Sequence, residues 1–132
     1  MPEANIKPKV LIVEDDESSV FILSFLLEKQ GFQVIWAADG SEGLEVARQA
    51  MPDLILLDLW LPRMDGYAVA QALRDMPLFA HVPILAVTSL PIMDDLGRAL
   101  ASGCNDYIEK PIDEHSLITK IKQHWPPHST ER

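Results

Sequence analysis

The apolar residues of this chain gather into five short runs: KVLIV at 9–13, QVIWA at 33–37, LILL at 54–57, PILAV at 83–87 and DYIE at 106–109. KVLIV is apolar almost throughout, as strands buried on both faces are. QVIWA is rich in the β-branched and aromatic residues that suit a sheet. Between the runs the spacing becomes helical. From Ser18 to Gln30, Val20, Leu23 and Leu27 share one stripe with Phe21 and Phe25 beside it, and Gly31 stops the helix. Asp39-Gly40-Ser41-Glu42 has the spacing of a capping box, for a second helix reaching about Ala50 and ended by Met51-Pro52. A third runs from Gly66 to about Asp75, with Val69, Ala72 and Leu73 available to pack. Pro91 opens a fourth, which reaches about Ser102 and is capped by Gly103. Asp113 caps a fifth, which reaches about His124, before Trp125-Pro126-Pro127. Five strands alternating with five helices predict an α/β fold, a parallel sheet with helices on both faces and right-handed crossovers.

Composition narrows this picture. A chain of 132 residues, 48% hydrophobic, suits one domain with one core. Eleven basic against 20 acidic side chains leave a net charge of −9, the opposite of a nucleic-acid footprint. A single cysteine, Cys104, excludes an intramolecular disulfide and reads as a small buried residue in a reducing compartment. No apolar run approaches the roughly 20 residues a membrane span needs. The N-terminal MPEANIKPK lacks the apolar stretch of a signal peptide, so a cytoplasmic protein is expected. His81, His115, His124 and His128 show no zinc-ligand spacing.

The polar residues that follow the strands carry the chemistry. Ligands of parallel sheets sit at the carboxyl ends of the strands. Glu14-Asp15-Asp16 follow the first strand, Asp58 the third, Thr88-Ser89 the fourth and Lys110 the fifth. All would meet on one edge. Carboxylates gathered there repel, and at least one would have its pKa raised unless a cation joined them. A hard divalent ion with oxygen ligands, Mg²⁺ above all with Mn²⁺ as a substitute, answers that need and also takes phosphate oxygens. Lys110 adds a positive charge and Thr88 a hydroxyl, giving a set suited to phosphoryl transfer. Any one of these aspartates alone would read as a turn or helix cap; the whole constellation decides otherwise.

LIVEDD at 11–16, LILLDLWLPRMDG at 54–66, AVTS at 86–89 and YIEKPI at 107–112 together resemble the receiver domain of two-component response regulators, over about residues 8–125. Residues 1–7 and 126–132 are then short tails, and no output domain is expected. The resemblance implies a flavodoxin-like, doubly wound sheet of strand order 2-1-3-4-5. It makes Asp58 the phosphoacceptor and Asp15 a direct Mg²⁺ ligand. Glu14 acts through a water, where many members have Asp. The Trp60 backbone carbonyl completes the metal site. Thr88 is the switch hydroxyl, Lys110 the site lysine and Tyr107 the aromatic that changes rotamer. Lys110–Pro111 resembles the family's cis peptide, a form that costs only about 0.5–1 kcal/mol before proline.

Implied partners are a sensor histidine kinase or histidine phosphotransfer protein, and a downstream protein that reads the face of the fourth helix, fifth strand and fifth helix. No nucleic acid or membrane is implied. The protein would be a monomer, or a homodimer on phosphorylation, and would catalyse only its own phosphorylation and dephosphorylation. Trp60 and Leu90 flank the site with bulk and are expected to shield the acyl phosphate. Asp16 reads as a helix cap, and Met64 as core. Ile92 and Met93 read equally as output contacts or as core. A Met start and short tail point to a stand-alone protein, with a receiver from a hybrid kinase as the alternative. A haloacid-dehalogenase-type phosphohydrolase would need an acid two residues after the nucleophile, where Trp60 stands. A flavin module would need a neutral phosphate loop where EDDES stands.

Overall fold

The computed structural model describes residues 7–61, 63–89 and 92–125, with the backbone alone for 92–95. The expectations for Pro62, Leu90, Pro91, His128 and the side chains of Ile92 and Met93 lie outside the described residues. The elements are β1 (Lys9–Val13), α1 (Glu17–Lys29), β2 (Gln33–Ala37), α2 (Gly40–Ala50), β3 (Leu54–Asp58), α3 (Gly66–Arg74), β4 (Ile84–Thr88), α4 (Ile92–Ser102), β5 (Asp106–Glu109) and α5 (Glu114–His124). Each lies within a residue or two of its expected place. Asp58 and Thr88 close their strands instead of following them. A 3-10 turn at Pro77–Phe79, which no periodicity announces, tucks Phe79 into the core.

The sheet is parallel throughout, in the order β2-β1-β3-β4-β5. Strand alternation divides the core in two. Leu11, Val13, Ile55, Leu57 and Ala86 face one side, against Ala47 of α2, Val69 and Leu73 of α3 and Ala99 of α4. Val10, Ile12, Leu54, Leu56, Leu85 and Val87 face the other, against Leu23 and Leu27 of α1 and Leu117 and Ile121 of α5. Cys104 is buried, as expected, and burial raises its thiol pKa to about 11. Met64 packs against the first cluster.

Four helices begin on an aspartate. Asp16, Asp39, Asp65 and Asp113 accept the amides of Ser19, Glu42, Ala68 and Ser116, which places negative charge at the positive end of each helix dipole. Part of the acidic excess is thereby structural. Asp16 also accepts the Ser19 hydroxyl, and those bonds lower its pKa. The capping box expected for α2 is altered: Glu42 Oε1 accepts the amide of Ala38, one residue before the cap. On α1 the expected stripe is buried at Leu23 and Leu27, while Phe21 and Phe25 lie 73% and 58% exposed. Two positions from a buried residue is about 200° around a helix, so 21 and 25 cannot share the face of 23 and 27.

At the amino-terminal edge of the sheet, Arg74 fastens three segments together. Its Nε donates to Gly103 O (3.0 Å), Nη1 to Phe79 O (2.6 Å) and Val82 O (2.7 Å), and Nη2 to Asn105 Oδ1 (2.8 Å). That amide oxygen also accepts from Ile84 N (2.8 Å). Gly103 has φ +116°, and a Cβ there would press on Arg74 Cγ, so glycine is required on both counts. No helix of the described residues is long and apolar enough to cross a membrane.

Candidate functional site

β1 and β3 are neighbours in register, Val13 opposite Leu57, so the residue leaving β1 stands beside Asp58. One carboxylate oxygen from each of Glu14, Asp15 and Asp58 lies within 4.8 Å of the others. Asp15 is exposed, whereas Glu14 and Asp58 are 1% and 5% exposed. Lys110 arrives from beyond β5, because its amide continues the ladder to Thr88 O at 2.9 Å. Its Nζ lies 2.9 Å from Glu14 Oε1, an ion-pair contact outside hydrogen-bond geometry. Burial, with the Asp58 charge adding to it, pushes the Glu14 pKa up to about 7 despite Lys110. Burial alone would lower the Lys110 pKa, but Glu14 and Asp58 outweigh it and leave it raised. One lysine therefore faces more negative charge than it can balance, which is the condition for taking up a cation. The donor set, carboxylates only, suits a hard divalent ion.

The other expected residues fall around this group. Thr88 is buried at the end of β4, next to β3 on one side and β5 on the other. Tyr107 is partly buried on β5, opposite Ala86. Trp60 donates its amide to Asp58 Oδ1 (3.0 Å) and leaves its side chain 64% exposed. The Lys110–Pro111 peptide is cis. Gly66 N donates to Leu59 O (3.1 Å), and a Cβ on Gly66 would overlap the Asp58 carbonyl oxygen. The helix after the site can start this close only with glycine there.

Three contacts along the sheet, from the site to its opposite edge, leave no mark on the sequence pattern. The Trp36 indole Nε1 donates to Glu14 O at 2.7 Å. Lys120 of α5 donates to Tyr107 O (2.6 Å) and lies 3.7 Å from the centre of the Tyr107 ring. His124, expected to be bland, meets Asp106 at 2.8 Å. Burial would raise the Asp106 pKa, but His124, the Tyr107 amide and Lys120 hold it below the usual range.

The architecture and the acidic edge agree with what comparison finds. The family model of the response regulator receiver domain matches residues 10–122. The chain is a receiver domain. Among curated relatives, it is 38% identical over 115 residues to the polar-differentiation response regulator DivK of Brucella anthropi, covering 87% of this chain and 94% of DivK. It is also 38% identical over 115 residues to the DNA-binding dual master transcriptional regulator RpaA of Synechocystis, covering 87% of this chain but only 48% of RpaA. The chain thus spans about half the length of one relative and nearly all of the other. The receiver domain of the sensor histidine kinase PA1611 from Pseudomonas aeruginosa, solved with a magnesium ion in its active-site cleft, superposes with a TM-score of 0.83 at 29% identity, covering 90% of this chain and 98% of that one. The strand order and five helices expected from the sequence are those of this family.

Proposed function

We propose that this receiver domain is a phosphoacceptor switch. Asp58 would take a phosphoryl group from the phosphohistidine of a sensor histidine kinase or a histidine phosphotransfer protein. The observation that carries the proposal is the buried Asp58 carboxylate at the end of a central strand, sharing one edge with Glu14, Asp15 and Lys110.

An Asp58 oxygen attacks the phosphorus in line. The P–N bond to the donor imidazole breaks, and an acyl phosphate forms on Asp58. Asp15 and Asp58 directly, Glu14 through a water and the Trp60 carbonyl would hold Mg²⁺, or Mn²⁺ in its place; when bound, the ion supplies positive charge to the phosphoryl oxygens. Lys110 pairs with one of those oxygens. The new charge draws the Thr88 hydroxyl inward, and Tyr107 repacks behind it. The face formed by α4, β5 and α5 then changes its population of conformers, and a protein partner reads it. On this reading the protein turns over no substrate but its own phosphate. A receiver carried within a longer kinase would use the same chemistry.

Incubation with acetyl phosphate and Mg²⁺, followed by intact-mass measurement, tests this. A phosphate-sized gain in the wild type that Asp58→Asn abolishes is expected. An equal gain in the variant, or none in the wild type, would overturn the reading.

A further inference from the structure

In the turn that carries Glu14 and Asp15, the amides and carbonyls of Glu14 and Asp16, on either side of Asp15, are held. Glu14 N donates to Ala37 O (3.0 Å), one step beyond the β1–β2 pairing. Asp16 N donates to Glu14 Oε2 (3.1 Å), and Asp16 O accepts Val20 N (3.0 Å). In a parallel ladder of this register, the next donor, to Glu14 O, would be the amide of Asp39. The chain has left the sheet by then: Ala38 N goes to Glu42, and Asp39 caps α2. The Trp36 indole fills the gap, donating to Glu14 O at 2.7 Å. Trp36 sits on an edge strand and is 42% exposed, so core packing does not account for an indole here.

We propose that Trp36 is a positioning residue for the cation site: its N–H fixes the Glu14 peptide, so that Glu14 and Asp15 are offered to a divalent ion without a reorganisation cost. This rests on the cation reading given above. Glu14 and Asp15 carry like charges beside Asp58, and without a bound ion the turn is pushed to open. The indole bond opposes that opening, and it acts on the peptide that joins the two ligand residues. The bond and the ion therefore stabilise the same conformation, and each should strengthen the other by the same factor.

The test is a Mg²⁺ titration followed by backbone amide NMR shifts, on the wild type, Trp36→Phe and Asp15→Asn. Trp36→Phe keeps an aromatic ring on the strand and deletes the donor with the pyrrole ring that carries it. A roughly 3- to 10-fold weaker Mg²⁺ affinity is expected, the worth of one net hydrogen bond. Unchanged affinity in a folded Trp36→Phe protein overturns the proposal and leaves the cation site standing. Should the wild type and Asp15→Asn respond alike, the cation reading itself fails and takes the proposal with it. A second measurement needs no variant. Hydrogen exchange of the Trp36 indole N–H in the wild type should slow by a similar factor at saturating Mg²⁺, and exchange indifferent to Mg²⁺ overturns the proposal.

Discussion

The two ends of the one sheet solve the problem of buried charge in opposite ways. At the amino-terminal edge a single guanidinium, Arg74, spreads its charge over three backbone carbonyls and the Asn105 amide. Four of its five N–H groups have acceptors, and the charge needs no partner ion. At the carboxyl edge Glu14, Asp15 and Asp58 share one lysine among the described residues, which leaves negative charge in surplus. The same fold has one satisfied end, which serves stability, and one unsatisfied end, where the proposed chemistry sits. Burial lowers the Arg74 pKa without threatening its charge, whereas it moves Glu14 to about 7, where the charge is in play.

Arg74→Met should break the satisfied end and show the largest effect. Three carbonyls and the Asn105 amide oxygen each lose a donor, and urea unfolding should register a loss of about 3 kcal/mol, with the Mg²⁺ affinity unchanged. A loss of Mg²⁺ affinity larger than twofold would mean that the two ends are not separate. Gly66→Ala strikes the other end: a methyl forced against the Asp58 carbonyl should cost about 2 kcal/mol. It should also slow phosphorylation by acetyl phosphate, and an unaltered rate would separate the turn from the chemistry.

Third in size is a pH effect. With the Glu14 pKa near 7 when folded, against 4.5 for an ordinary glutamate, the native state holds a proton there that the unfolded chain releases. Stability contributed through this group is therefore greatest below about pH 4.5 and declines as pH rises to about 7. In metal-free buffer, the wild type should lose of order 1–2 kcal/mol relative to Glu14→Gln between pH 5 and pH 7.5. Parallel pH profiles for the two proteins would refute a buried, surplus charge. Smallest is Trp60→Asn, which trades the exposed indole beside Asp58 for a group that can orient water. It should shorten the acyl-phosphate lifetime a few-fold, equivalent to under about 1 kcal/mol of barrier. A lifetime no shorter than wild type counts against shielding by Trp60.

How much of this the sequence discloses differs between the two ends for a physical reason. Apolar runs give away buried strands, and a carboxylate closing such a run is conspicuous, so β3 with Asp58, β1 with Glu14-Asp15 and β5 with Lys110 align from the letters alone. Arg74 could not be found that way. Its acceptors are carbonyls, which every residue has, so nothing in the letters marks Phe79, Val82 or Gly103 as its partners. Trp36 is hidden for the same reason, since it too bonds to a backbone oxygen. The exposure of Phe21 and Phe25 was obscured because α1 is apolar on more than one side, so periodicity alone could not choose the inner face. Charged groups that close buried strands stand out in the sequence, whereas side chains that bond to backbone carbonyls do not.

The Arg74 clasp has one mechanical consequence. It grips Gly103 and Asn105, the residues just beyond α4, and ties them to the end of α3 and the entry to β4. A push on α4 that starts at the reactive edge therefore meets a helix already bolted at its far end. If the proposed switch moves α4, that end would act as a pivot more readily than as a slide, with the smallest swing at Gly103.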